Sequence, residues 1–118
     1  HVRSRRQRQM CIRDRCATLS EVRANIDRLD DEIVRLMAER AMCVKDAARF
    51  KRDAFQVSAP ARQAEVFEKV RRLAERHDRG FENLDQVVDA AYRAMVAAFI
   101  ANEQTYFNTM RIVGDKHA

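Results

Sequence analysis

Three polar residues stand on stripes that are otherwise apolar. Arg40 falls between Leu36 and Cys43 in the heptad register of the first predicted helix. An arginine is rarely withdrawn from water unless an anion answers its charge, because desolvating it costs several kcal/mol, on the order of what one buried ion loses. Lys51 lies eleven residues on, which along a continuous helix returns to nearly the same face about 16 Å further down the axis. Gln104 has Ala97 and Ile100 behind it and Phe107 ahead. Two cations thus flank one stretch of a partly apolar face, and a polar amide stands on a mainly apolar stripe. Each has a structural explanation: Arg40 paired with a core acid, Lys51 snorkelling at a helix end, Gln104 satisfying a backbone group. No CxxC, Cys/His cluster of metal spacing or serine triad accompanies them.

The elements that must position these residues are helices. The chain has only two glycines and one proline, so there are few places to turn and the class is all-α. "TLSE" at residues 18–21 reads as a capping box, with Thr18 accepting from the backbone and Glu21 reaching back. Apolar residues then recur at Leu19, Val22, Ile26, Leu29, Ile33, Leu36, Cys43, Ala47 and Phe50, which predicts one helix to about Lys51 with Cys43 a buried thiol. "DAFQVSAP" (residues 53–60) is the expected first loop, with Ser58 as cap and Pro60 in the first turn of a second helix. That helix uses Val66, Phe67, Val70, Leu73 and Ala74 and stops near Gly80. Asn83 and Gln86 resemble a further capping box, opening a third helix through Leu84, Val88, Ala91, Met95, Ala98 and Phe99 and past Tyr106. The expectation is three helices, two long and one short. A first helix of that length would run roughly 50 Å, against a radius of gyration near 13 Å for a compact domain of this size. One copy cannot cover its own seam, which predicts an intertwined homodimeric bundle.

Charge is unevenly spread. The 118 residues carry a formal net charge of +5. Residues 1–15 hold six arginines and one aspartate, leaving 17 basic and 17 acidic residues in 16–118. The body therefore exerts no overall pull on a polyanion, and no recognition-helix motif is visible, so nucleic acid is not an expected partner. Within the tail, Met10-Cys11-Ile12-Arg13-Asp14 resembles the translated end of a transposon used to prepare sequencing libraries. Residues 1–15 are read as a non-native or disordered basic tail, and 16–118 as one helical domain. The longest apolar run, "AMVAAFIA" (94–101), is far short of the roughly 20 residues of a membrane helix. Three cysteines make no disulfide framework, and a cytoplasmic protein is expected.

"VRANIDRLDDEIVRLMAERAMCVKDAARFK" (22–51), "APAR" (59–62) and "IANEQTYF" (100–107) together resemble the all-helical chorismate mutases, and most of all the subgroup that includes the isochorismate pyruvate lyases. The resemblance runs from about Leu19 to Phe107 and is specific as a set. It implies a homodimer whose sites are shared between subunits, with no cofactor and no metal. It implies that Arg23 serves the site of the neighbouring subunit by holding a substrate carboxylate. Arg40 would clamp a second carboxylate, Lys51 with Gln104 would address the ether oxygen of the enolpyruvyl group, and Arg62 would close over the substrate. Gln63 stands where many mutases carry an acid that meets the ring hydroxyl. Ala59 replaces an aspartate and Ile100 stands where a serine can occur. Independently of the resemblance, Arg23 and Arg40 lie about 25 Å apart along a helix and roughly 100° around it, too far to share a small ligand within one chain.

The activity implied first is chorismate mutase, acting on a small dicarboxylate. Isochorismate pyruvate lyase is the alternative, yielding salicylate and pyruvate. Both reactions are pericyclic in outline and need a flexible dianion held in a compact shape rather than a nucleophile. A non-enzymatic helical dimerisation or regulatory module explains the seam equally well, but gives no reason for Arg40 within it.

Overall fold

The computed structural model describes residues 17–117, with the main chain alone for residues 54, 106, 107 and 110–117. The expectation for residues 1–15, like Cys11 and Cys16, lies outside the described residues. Every regular element among those described is helical: α1 (Leu19–Ala47), a 3-10 turn (Ala48–Phe50), α2 (Ala54–Ser58), α3 (Pro60–His77) and α4 (Leu84–His117). The all-α expectation of two long helices and one shorter one holds, with α2 an addition inside the expected loop. The chain divides into two compact units between Ala41 and Met42.

The first unit is the N-terminal part of α1. Thr18 Oγ1 accepts from the Glu21 N–H at 3.1 Å, and Glu21 Oε2 accepts from the Ala17 N–H at 3.0 Å. The expected box is therefore built, its return bond reaching Ala17 and thereby satisfying a donor just ahead of the helix. Ion pairs Arg28–Glu32 and Arg35–Glu39 run at i,i+4 along the polar side. The apolar side is uncovered: Leu19, Ile26, Ile33 and Leu36 are 61%, 50%, 54% and 53% exposed. No residue of α1 is buried in the single chain.

The second unit begins with the end of α1, where two expectations are corrected. Cys43 is exposed, not a buried thiol, because it shares the uncovered seam. The helix also does not reach Lys51. It tightens into the 3-10 turn at Ala48, which is buried, and Lys51 is extended with φ −95° and ψ 138°. The cause lies two residues on: Asp53 caps α2, accepting from the Gln56 N–H at 2.9 Å with φ −152°, and Gln56 Oε1 in turn accepts from the Arg52 N–H at 2.6 Å. An aspartate at a helix start takes extended backbone, so the chain must leave α1 before it. The helical spacing from Arg40 to Lys51 does not exist.

Ser58 is likewise not a cap; it is the last residue of α2. The turn into α3 is made by Ala59 in the left-handed region, φ 43° and ψ 64°, whose N–H donates to the Phe55 carbonyl at 2.8 Å. For a residue with a Cβ that conformation costs about 1–2 kcal/mol. Pro60 then occupies the first turn of α3, as its locked φ and missing N–H favour.

α3 and α2 both pack on α4. Val66, Val70 and Ala74, four residues apart, form the buried stripe of α3, while Val57 of α2 is 2% exposed and Val96 of α4 is 7% exposed. Of the other expected core positions, Phe67, Val88, Met95 and Phe99 are half-buried, and Leu73, Ala91 and Ala98 are exposed. Between α3 and α4 the Asp78 carboxylate accepts from the N–H groups of Gly80 and Phe81 at 3.0 and 2.8 Å. Gly80, at φ 105°, takes a backbone that side chains disfavour. The carbonyl of Asn83 (φ 59°) accepts from Gln86 and Val87 as α4 begins.

Candidate active site

α4 carries acids on its packed face. Asp89, Val96 and Glu103 are spaced by seven residues, so they lie on one stripe. Both acids are answered by cations from elsewhere in the second unit. At the N-terminal end, Asp89 accepts from Arg93 Nε at 2.8 Å and Arg71 Nε at 3.0 Å, and Arg93 also lies 4.5 Å from the centre of the Phe67 ring. The Arg93 hydrogen bond, then that of Arg71 with both guanidinium charges, holds the Asp89 carboxyl below the usual range against the opposing effect of desolvation. The pair ties α3 to α4.

At the other end, Glu103 is 6% exposed and is the one buried polar or charged residue among the described residues. Its Oε1 accepts from Lys51 Nζ at 3.4 Å, and the Lys51 side chain is 23% exposed. The structure thus brings Lys51 to α4 through a contact that the sequence reading did not contain. The signal was present: an acid seven residues after Val96 and four after Phe99 falls on the apolar stripe. Gln104, the neighbouring residue on α4, is half-buried. An ammonium has three donors and Glu103 engages one, so Lys51 retains donors for an oxygen, and Gln104 carries a neutral amide.

Arg62 and Gln63 sit at the start of α3. Arg62 is exposed and pairs with Glu65. Gln63 turns inward along the chain: its Nε2 donates to the Ser58 carbonyl at 2.6 Å, closing the end of α2 beneath the left-handed Ala59. The amide oxygen of Gln63 plays no part in that bond and can accept from a hydroxyl. In the first unit, Arg23 is exposed and Arg40 half-buried on α1. Their 17-residue separation on an unbroken helix puts them about 25 Å apart along its axis. Among the described residues no group of three or more His, Cys, Asp or Glu is placed to hold a metal ion. No helix among them is long and apolar enough to cross a membrane.

Comparison with known proteins places these residues in a family. The family described as chorismate mutase type II matches residues 22–104. The bifunctional chorismate mutase/prephenate dehydratase of Aquifex aeolicus is 36% identical over 87 residues, covering 73% of this chain and 24% of that protein. The chorismate mutase of Methanocaldococcus jannaschii is 33% identical over 61 residues, 51% of this chain and 62% of that protein. The isochorismate pyruvate lyase of Pseudomonas aeruginosa is 31% identical over 97 residues, 81% of this chain and 91% of that protein. This chain accordingly spans about a quarter of the first relative and under two thirds of the second.

Proposed function

The chain belongs to the chorismate mutase type II family, and from that premise we propose that it converts chorismate to prephenate. The observation that carries this reading is the extent of the family match, since residues 22–104 take in Arg23, Arg40, Lys51, Arg62, Gln63 and Gln104 together. In the rearrangement the ether C–O bond breaks as a C–C bond forms within one molecule, with no net proton transfer. The protein has to hold the dianion in its reactive shape and answer the charge that builds on the ether oxygen.

In this reading Arg40 clamps one carboxylate with its guanidinium fork and Arg62 covers the substrate. Lys51 donates to the ether oxygen, and Gln104 adds a neutral donor there. Gln63 accepts from the ring hydroxyl without the charge assistance an acid would supply. Arg23 serves the site of the partner subunit in a homodimer. Support for the homodimer comes from α1, whose Leu19, Ile26, Ile33 and Leu36 are half or more exposed at spacings suited to a helical seam. The setting proposed is cytoplasmic, without a nucleic-acid partner, and the folded domain excludes residues 1–15.

One observation favours a second reading. The relative whose length this chain covers most fully among those above, at 91%, is an isochorismate pyruvate lyase, and an amide rather than an acid stands at position 63. The same cations would then assist C–O cleavage in which the hydrogen on the hydroxyl-bearing ring carbon passes to the enolpyruvyl methylene, releasing pyruvate and leaving aromatic salicylate. Purified protein assayed separately on chorismate and on isochorismate tests both. Prephenate formation supports the first reading. Faster turnover of isochorismate to salicylate and pyruvate reverses the order, and inactivity on both substrates removes the enzyme reading.

A further inference from the structure

We propose that Glu103 is the positioning residue for Lys51, a role that rests on the reading of Lys51 as the donor to the ether oxygen. Among the described residues, Glu103 is the side chain that bonds this lysine. Lys51 follows a 3-10 turn on extended backbone, so its side chain is not held against a helical turn. A four-carbon stem with a compact, rotatable ammonium samples many orientations when unconstrained. The Glu103 carboxylate, 52 residues away in sequence and 3.4 Å away in space, removes that freedom.

The position of Glu103 argues for use rather than packing. α4 would form equally well with leucine there, and an apolar side chain on the stripe that holds Val96 would avoid the desolvation of a carboxylate. A buried ion pair often stabilises no better than the apolar residues that could replace it. Its distinct consequence is geometric. With one ammonium donor on Glu103, the others point along fixed directions, and Gln104 follows on the same helix about 100° around its axis. The donor therefore needs little reorganisation when charge appears on the ether oxygen.

The pair also shapes the balance between binding and turnover. Lys51 and Glu103 together are neutral, so they exert little pull on a dianion in its ground state. The lysine contributes chiefly when negative charge concentrates on one oxygen in the transition state. Loss of Glu103 should accordingly lower kcat without raising KM. A residue that merely supports the fold would lower the active fraction or weaken both parameters.

The experiment is a double-mutant cycle in the full chain with the near-isosteric Glu103→Gln and with Lys51→Met, read by steady-state kinetics and thermal melts. Glu103→Gln is expected to lower kcat on the order of tenfold or more, as misplacement of a reacting group does, with KM unchanged or lower. In the Lys51→Met background the same change should cost no further kcat. Lys51→Met should lower Tm by orphaning the buried carboxylate, and adding Glu103→Gln should restore part of that loss. Near wild-type kcat in Glu103→Gln, or equal losses in both backgrounds, overturns the proposal. Inactive wild type removes the catalytic reading of Lys51, and the melts then judge the pair by themselves: partial restoration of Tm upholds the contact, whereas additive losses overturn it.

Discussion

α1 and α3 carry apolar stripes of similar helical period and meet opposite fates. On α3 the stripe of Val66, Val70 and Ala74 is buried against α4, while on α1 Leu19, Ile26, Ile33 and Leu36 remain half or more exposed. α3 runs 18 residues and α1 runs 29. The shorter helix finds its cover within the second unit. Periodicity therefore specifies that a face seeks burial, but not where its cover comes from.

The largest effect expected from breaking this contrast is on assembly. Ile33→Asp places a charge on the uncovered stripe of α1, and in a dimer sealed along that stripe the aspartate would have no partner. The variant should sediment as a monomer and lose activity that depends on Arg23 from the partner. A wild-type protein already monomeric at micromolar concentrations would show that the exposed stripe is not a dimer seam.

Next in size is the core of the second unit. Val70→Ala removes two methyl groups from a side chain that is 4% exposed, which should cost about 2 kcal/mol of unfolding free energy in denaturant titration. The destabilisation should not depend on protein concentration if α3 is covered from within its own chain, whereas Leu36→Ala on α1 should have an effect that grows as the dimer is favoured. Equal concentration dependence for both variants would erase the distinction.

A smaller effect concerns the acids of α4. Asp89 titrates lower in the folded protein than its ordinary value, first because of Arg93 and then Arg71. Its contribution to stability is therefore fully present above the unfolded-state value near 4 and is lost as pH falls through the lower folded value. Wild type should lose stability in acid more steeply than Asp89→Asn over that window; coincident profiles would show that the two arginines do not act through this carboxylate. The smallest expected effect is that of deleting residues 1–15, which offer almost no apolar surface to bury. Helicity, assembly and turnover should persist, and loss of any of them on truncation would make the segment part of the folded protein.

Local chemistry in the sequence determined the class and most of the punctuation. Scarcity of glycine and proline dictated helices, Thr18 and Glu21 built the first cap, Pro60 opened α3, and Arg40, Lys51 and Gln104 stood out because charge and amide are costly on an apolar stripe. Those signals act over one or two turns, so a single chain of letters carries them. The tertiary structure alone decided three things. Asp53 captured the backbone as a second helix start and left Lys51 extended, a competition between two local preferences that only the whole fold resolves. Gln63 spent its amide donor on the Ser58 carbonyl beneath a left-handed Ala59. Glu103 met Lys51 across 52 residues, and no periodicity reports which cation will answer a buried acid, because that depends on where separate elements pack and not on the spacing within either one.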